Sequence, residues 1–162
     1  MDEKPKLEFR FAGEADAALV LRFIKELAEY EEMSDQVTAT EESLRRELFE
    51  KKRAEVLFAM EDGEEIGFAL FFHNFSTFLG KSGMYLEDLF IRPEKRGRGV
   101  GTAIFKKLAG IAKERGYGRM EWSCLNWNES GVQFYYSLGA EAMSEWTVYR
   151  LTEDGIAKLS EE

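Results

Sequence analysis

The chemically conspicuous residues are basic ones crowded among glycines. Arg92, Lys95, Arg96 and Arg98 fall within seven positions, interleaved with Gly97, Gly99 and Gly101, and Lys106 and Lys107 follow. The local pattern is a β-rich run, a turn through Arg92-Pro93, the loop Arg96-Gly97-Arg98-Gly99-Val100-Gly101, and then a helical run. The first N–H groups of a helix lack intrahelical partners and lie at the positive end of its dipole, so they receive phosphate oxygens. Glycines let that backbone approach closely. A glycine-rich helix entry with a solvated basic rim would leave the same trace, so the surroundings must decide. A dinucleotide fingerprint needs a glycine where this chain has Thr102, and no Gly-Lys-Ser/Thr follows to make a P-loop.

The elements that must position this loop can be read from periodicity. Lys6 to Ala12 alternates Leu7, Phe9 and Phe11 with polar neighbours, which predicts a half-buried strand. Glu14 to Glu32 carries Leu19, Phe23, Ile24, Leu27 and Tyr30 at helical spacing. Thr38 or Thr40 can cap a second helix running to about Lys52, with Glu41 three residues after Thr38 as in a capping box. Val56 to Met60 and Ile66 to Phe75 form a hairpin about Asp62-Gly63, and Met84 to Ile91 is a further strand. A helix from about Gly101 to Arg115 follows the loop. Arg119 to Leu125 reads as a strand, Asn128 to Leu138 as a helix stopped by Gly139, Ala142 to Leu151 as a last strand, and a small helix closes the chain. The order predicts an α/β fold with a mixed, mostly antiparallel sheet and one β-α-β crossover.

The bulk numbers frame the function. With 162 residues, 44% of them apolar and 33% charged, one domain spanning 1–162 is expected. The opening Met1-Asp2-Glu3-Lys4-Pro5-Lys6 lacks the apolar core of a leader and no run is long enough to span a bilayer, so the expectation is a cytoplasmic protein without a membrane partner. A net charge of −9 argues against nucleic acid and for cationic ligands. A single cysteine, Cys124, and a single histidine, His73, provide no set of soft ligands, so no metal is expected. Both lie in apolar-rich strand sequence and read as packed side chains.

Arg96-x-x-Gly99-x-Gly101 between a strand and an amphipathic helix resembles the acetyl-CoA signature of the GNAT N-acetyltransferases. Glu26-Leu27-Ala28-Glu29-Tyr30-Glu31, Tyr85-Leu86-Glu87-Asp88-Leu89-Phe90 and Trp127-Asn128-Glu129 with Phe134-Tyr135 resemble the diamine acetyltransferases within that superfamily, which acetylate polyamines and related amines. The resemblance implies a sheet in which the strands flanking the signature helix splay around the donor. It implies main-chain contacts to acetyl-CoA from Leu89, Phe90 and Ile91, and pyrophosphate binding by Arg96, Gly97, Arg98, Gly99, Val100, Gly101 and Thr102. It also implies a donor contact from Asn128, and a homodimer. Ser130-Gly131 and Tyr136-Ser137-Leu138 depart from the family's usual residues at those places.

Acetyl transfer to an amine needs a neutral nucleophile and a proton for the departing thiolate. An alkylamine with a pKa of about 10.4 is neutral in roughly one molecule in a thousand at pH 7, so a proton acceptor is required. The resemblance assigns Glu87 as base or amine-positioning group, although Glu87 and Asp88 should point to opposite faces and either could be the one in the cleft. It assigns Tyr135 as proton donor, with Tyr136 beside it as a reminder that a packed helix aromatic would look the same. Tyr30, Glu31 and Glu145 align with positions lining the amine pocket, against the alternative of an ordinary acidic surface. The expected reaction is direct acetyl transfer to a primary amine of a small polyamine or lysine analogue. Alternatives are a peptide or other small-amine acceptor, or a non-catalytic acyl-CoA sensor.

Overall fold

Phe58, Phe68 and Phe90 lie side by side on three neighbouring strands, and the hydrophobic order of the molecule starts from that row. The computed structural model describes residues 6–161. The opening Met1 to Pro5, discussed above for its lack of a leader-like apolar stretch, lies outside the described residues. Five strands form one sheet in the order of the chain: β1 Leu7–Phe11, β2 Glu55–Glu61, β3 Glu64–Ser76, β4 Lys81–Ile91 and β5 Met120–Trp122. The first three pairings are antiparallel and β4–β5 is parallel, as the predicted mixed α/β architecture requires.

Helix α1, Ala17–Tyr30, covers one face of the sheet. Its Val20 and Phe23 are buried with Val56, Phe58, Phe68 and Phe90, and the Phe23 ring lies 5.3 Å from Phe68 and 5.9 Å from Phe58. Helix α3, Val100–Glu114, buries Val100, Ile104, Leu108 and Ile111 at three- and four-residue spacing. The Phe105 ring of α3 lies 4.9 Å from Trp122 of β5, and Arg115 just beyond the helix rests over Phe71 of β3. By alternation Phe71 faces away from Phe68 and Leu70, so α1 and α3 lie against opposite faces. The β2–β3 turn is the two-residue kind expected of Asp62-Gly63, with φ of 51° and 78°. Both values are left-handed, as a hairpin turn matching strand twist requires.

Of the two caps open to the second helix, Thr40 is the one used: Thr40 Oγ1 accepts from the Ser43 N–H at 3.0 Å and Ser43 Oγ accepts from the Thr40 N–H at 2.9 Å, so the box closes on Ser43 and not on Glu41. This helix, α2, is regular over Glu41–Leu44 and continues as a wider π-helical stretch Arg45–Glu50. The strand expected at Arg119 to Leu125 is confined to Met120–Trp122. The last strand expected at Ala142 to Leu151 is absent, because the alternating pattern there has no ladder to join among the described residues.

The chain divides into two compact units at Ser123/Cys124. The first holds the sheet with α1 to α3. The second holds α4, Glu129–Ser137, and α5, Glu153–Ser160, each with a side-chain cap, from Asn128 and Thr152 respectively. Among the described residues no helix is long and apolar enough to cross a membrane.

Phe23 is fully buried between two strand phenylalanines, whereas Phe78 is fully exposed. Phe23→Ala should cost about 3–5 kcal/mol of unfolding free energy, and Phe78→Ala should leave stability unchanged. Urea denaturation of the two variants measures both.

Candidate active site

The site is built on an irregularity in β4. Leu70 of β3 pairs with Asp88 while the next residue, Phe71, pairs with Leu86, so Glu87 is the extra residue of a β-bulge. In a regular strand Leu86 and Asp88 would share a face. The bulge instead leaves Leu86 opposite Phe71 on the α3 face and moves Asp88 to the α1 face beside Leu70. There Asp88 is half-buried and its carboxyl is pushed up to about 7, first by burial and then by the charges of Glu87 and Glu31. Glu31, directly after α1, is itself raised by burial. Glu87 projects into solvent. The sequence points to Glu87, by resemblance, whereas it is its neighbour Asp88 that turns toward α1, since a bulge is a property of pairing that one strand's sequence does not display.

The same bulge marks where β4 and β5 part. They pair only from Met84 with Met120 to Leu86 with Trp122, and β4 runs on alone to Ile91 on that side. Arg92 donates its N–H to the Ile66 carbonyl of β3 at 2.9 Å. Main-chain groups alternate along a strand, so Phe90 and Asp88 also direct theirs to β3, while Leu89 and Ile91 direct theirs toward the opening. The Ile91 carbonyl accepts from Arg96 Nε at 2.8 Å. Leu89 thus presents a donor and an acceptor, and Ile91 a donor, along an open edge.

Beyond β4, a single turn over Pro93–Lys95 leads to Arg96 and the glycines. Gly97 and Gly99 have φ of 76° and 83°, and nothing lies within 4 Å of where their Cβ atoms would be. Gly99 caps α3 without a side chain, and the first intrahelical bond is Ala103 N–H to the Gly99 carbonyl at 3.0 Å. The N–H groups of Val100, Gly101 and Thr102 are therefore left for an outside acceptor, while the Val100 side chain is buried in the core.

The loop's cations are less available than their number suggests. Glu61, at the end of β2, binds Lys95 at 3.2 Å and Arg98 at 2.6 Å. Arg92 lies 3.5 Å from Glu26 of α1, with its guanidinium 4.7 Å from the Phe23 ring centre. Arg96 stacks on Tyr30 at 4.5 Å and on Phe90 at 5.1 Å. What this loop offers an anion is chiefly oriented N–H groups. Arg96 also ties Tyr30, a predicted amine-pocket residue, to the predicted donor loop, a link that sequence did not suggest.

Asn128, Tyr135 and Glu145 belong to the second unit. Asn128 Oδ1 accepts from the Gly131 N–H at 3.1 Å and from Ser130 Oγ at 3.2 Å, capping α4. A Cβ on Gly131 would come within 2.7 Å of Asn128 Nδ2. The unusual Ser130-Gly131 therefore serves this cap. Tyr135 is half-buried on α4 and Glu145 is exposed.

The sequence profile of the acetyltransferase (GNAT) family matches residues 21–140. The chain belongs to the GNAT acetyltransferase family. It is 36% identical to the thialysine N-epsilon-acetyltransferase of Bos taurus, over 93% of this chain and 95% of that one. It is 40% identical over 93 residues to the L-ornithine N5-acetyltransferase of Arabidopsis thaliana, covering 57% of this chain and 41% of that one. An integron cassette protein from the mobile metagenome of V. cholerae matches its fold with a TM-score of 0.79 at 29% identity, over 96% of this chain and 98% of that one. This GNAT protein is accordingly an acetyl-transferring enzyme, and its parallel strand pair beside α3 is the GNAT arrangement. Members of the family generally use acetyl-CoA.

The Asp88 carboxyl bears on stability with a definite sign. Its value of about 7 in the fold lies above the ordinary aspartate value of about 3.9, so the folded state binds the proton more tightly. Its contribution is then most favourable at acid pH and is lost as pH rises through 7. Asp88→Asn should raise the melting temperature at pH 8 and give no gain at pH 4. Equal melting of variant and parent at pH 8 would refute the buried, charge-crowded placement.

Proposed function

We propose that this GNAT enzyme transfers the acetyl group of acetyl-CoA by direct attack to a primary amine on a small polyamine or lysine-like molecule. The observation that carries the reading is the bulge at Glu87, which turns Asp88 toward Glu31 and raises its carboxyl to about 7. A carboxylate with that value is poised to accept a proton near neutral pH, while Glu31 and Glu87 attract a cationic substrate and position its amine. Tyr30, at the end of α1, forms an apolar wall with Phe90, the two ring centres 6.4 Å apart. The named amines of the relatives, thialysine and ornithine, both carry an amino group at the end of an aliphatic chain, which suits such a wall and cluster.

Acetyl-CoA, when bound, supplies an acyl carbon activated by its thioester. The open edge at Leu89 and Ile91 suits an amide-bearing arm laid beside β4. The Val100, Gly101 and Thr102 N–H groups suit a pyrophosphate, and the space beside Gly97 and Gly99 admits it closely. In the transfer the amine nitrogen forms the new bond to the acyl carbon and the carbon–sulfur bond breaks. The amine gives up its proton to Asp88, directly or through water, and the departing thiolate takes one from the Tyr135 phenol. Asn128 in this scheme serves the donor through the helix start it caps, and Glu145 adds negative charge for the amine. The protein acts in this reading as a cytoplasmic homodimer.

Thiol release from acetyl-CoA against thialysine, ornithine, lysine, spermidine, spermine, putrescine and a peptide amine tests the acceptor. Turnover with the small amines is expected, and turnover with the peptide alone would discard the pocket. The log of kcat/KM should bend near pH 7, and the bend should vanish in Asp88→Asn together with a loss of about 10²–10⁴-fold in rate. A bend retained in Asp88→Asn would move the proton acceptor elsewhere.

Donor binding is tested separately by calorimetry. A β-branched residue disfavours the left-handed conformation of Gly99 by roughly 1–2 kcal/mol, so the free loop of Gly99→Val should relax away from the binding geometry and acetyl-CoA binding should weaken by about tenfold. Arg96→Ala should weaken it too, by releasing the Ile91 carbonyl and Tyr30. Unchanged affinity in both variants would overturn the loop's assignment.

A further inference from the structure

Gly97 and Gly99 alternate with three residues that carry side chains: Arg96 before them, Arg98 between them and Val100 after them. Both glycines are left-handed, and no atom lies within 4 Å of where a Cβ would stand on either, so packing does not hold their torsions. Glycine has the most backbone freedom to lose on ordering. The conformation of the loop is therefore set by whatever holds the three side chains. Val100 is buried in the core. Arg96 is held by the Ile91 carbonyl and by the rings of Tyr30 and Phe90.

Arg98 is held by Glu61, which lies 37 residues earlier in the chain. That carboxylate is on the last residue of β2, paired with Leu7 of β1 and Glu64 of β3, and its side chain is only 13% exposed. Its two oxygens are divided: Oε2 accepts from Arg98 at 2.6 Å and Oε1 from Lys95 at 3.2 Å. The sheet thus grips the loop on each side of Arg96, and it fixes the one residue that lies between the two glycines. The Arg98 guanidinium has a carboxylate partner already, while the Val100, Gly101 and Thr102 N–H groups have no partner within the helix.

We propose that Glu61 is a positioning residue for the donor: it fixes Lys95 and Arg98 as framework, so that the loop enters α3 with its N–H groups already aimed, and Arg98 takes no phosphate itself. The glycines then lose their freedom on folding and not on binding, which favours the complex. The β2–β3 hairpin becomes part of the donor site although none of its residues need touch the donor. This departs from the signature resemblance, in which Arg98 is itself a ligand. The identity of the donor as acetyl-CoA rests on the proposed function; the ordering of the loop by Glu61 does not.

Glu61→Gln keeps the shape of the side chain and removes its charge. Without ligand, the backbone order parameters of Gly97 and Gly99 should fall from about 0.85 in the parent to below about 0.6 in this variant, as read by ¹⁵N relaxation. Calorimetry should show acetyl-CoA binding weakened about three- to tenfold. Unchanged order parameters, or binding that is unchanged or tighter, would overturn the proposal. Arg98→Glu should weaken acetyl-CoA about tenfold or more, and adding Glu61→Lys, which restores the pair with its charges reversed and the net charge of the parent, should return affinity to within about threefold. A double variant with rigid glycines and no recovery of affinity would make Arg98 a phosphate ligand and defeat the idea. Should Glu61→Gln not fold, Arg98→Ala cuts the same tie from the loop side, and rigid glycines there would be equally fatal. A parent that does not bind acetyl-CoA would sink the donor reading alone, because the ligand-free order parameters still judge the hold of Glu61 on the loop.

Discussion

The one-residue offset between β3 and β4 is the constraint on which the site depends. Two antiparallel strands in perfect register would put Leu86, Asp88 and Phe90 on one face, and the core would then carry a carboxyl directly between two large apolar side chains. The extra residue at Glu87 separates these demands. Leu86 goes to the α3 face, Phe90 keeps its place beside Phe68 in the α1 core, and Asp88 reaches the margin of that core near Glu31. It also coincides with the end of β4–β5 pairing, so one local irregularity both aims the acid and opens the edge at Leu89 and Ile91.

The rest of the first unit holds that geometry in place. Arg92 leaves β4 with its guanidinium over Phe23 and beside Glu26, while one of its nitrogens donates to the Glu65 carbonyl at 3.2 Å. Helix, sheet and loop entry are thereby joined at one side chain. On the same face, nearer β1, Arg10 lies over Phe58 and forks between Asp16 and Glu65 at 2.8 Å and 2.7 Å, fixing the approach of α1 to β1 and β3. These half-buried cations exchange hydration for several carboxylate and ring contacts each, a trade that Arg makes more readily than Lys. Asp88 has no such partner and gains proton affinity instead.

Much of this was legible in the sequence, for identifiable reasons. Long periodic runs such as that of α1, the Asp62-Gly63 turn and the strand-glycine-helix pattern each encode their structure within a few residues. The resemblance to diamine acetyltransferases singles out Glu87 and Tyr30 from sequence alone, with Asp88 only as the neighbour of Glu87. What escaped was relational. Thr38 and Thr40 offer the same hydroxyl, and only the placement of Ser43 decides between them. The orientation of Asp88 depends on β3, and the stacking of Arg96 on Tyr30 depends on two elements far apart in sequence. Ala142 to Leu151 is the opposite case: its pattern is strand-like, but a pattern cannot supply the neighbour a strand requires.

Glu61 carries one more implication. By engaging both Lys95 and Arg98 it offsets one of their two charges and holds both side chains in place. In a chain of net charge −9, long-range attraction then contributes less to capture of a phosphate-bearing molecule there than the number of basic residues suggests. Recognition falls instead to short-range hydrogen-bond directions at the start of α3. A loop organised in this way discriminates among anions by shape, and does so without accumulating every phosphate compound in the surrounding solution.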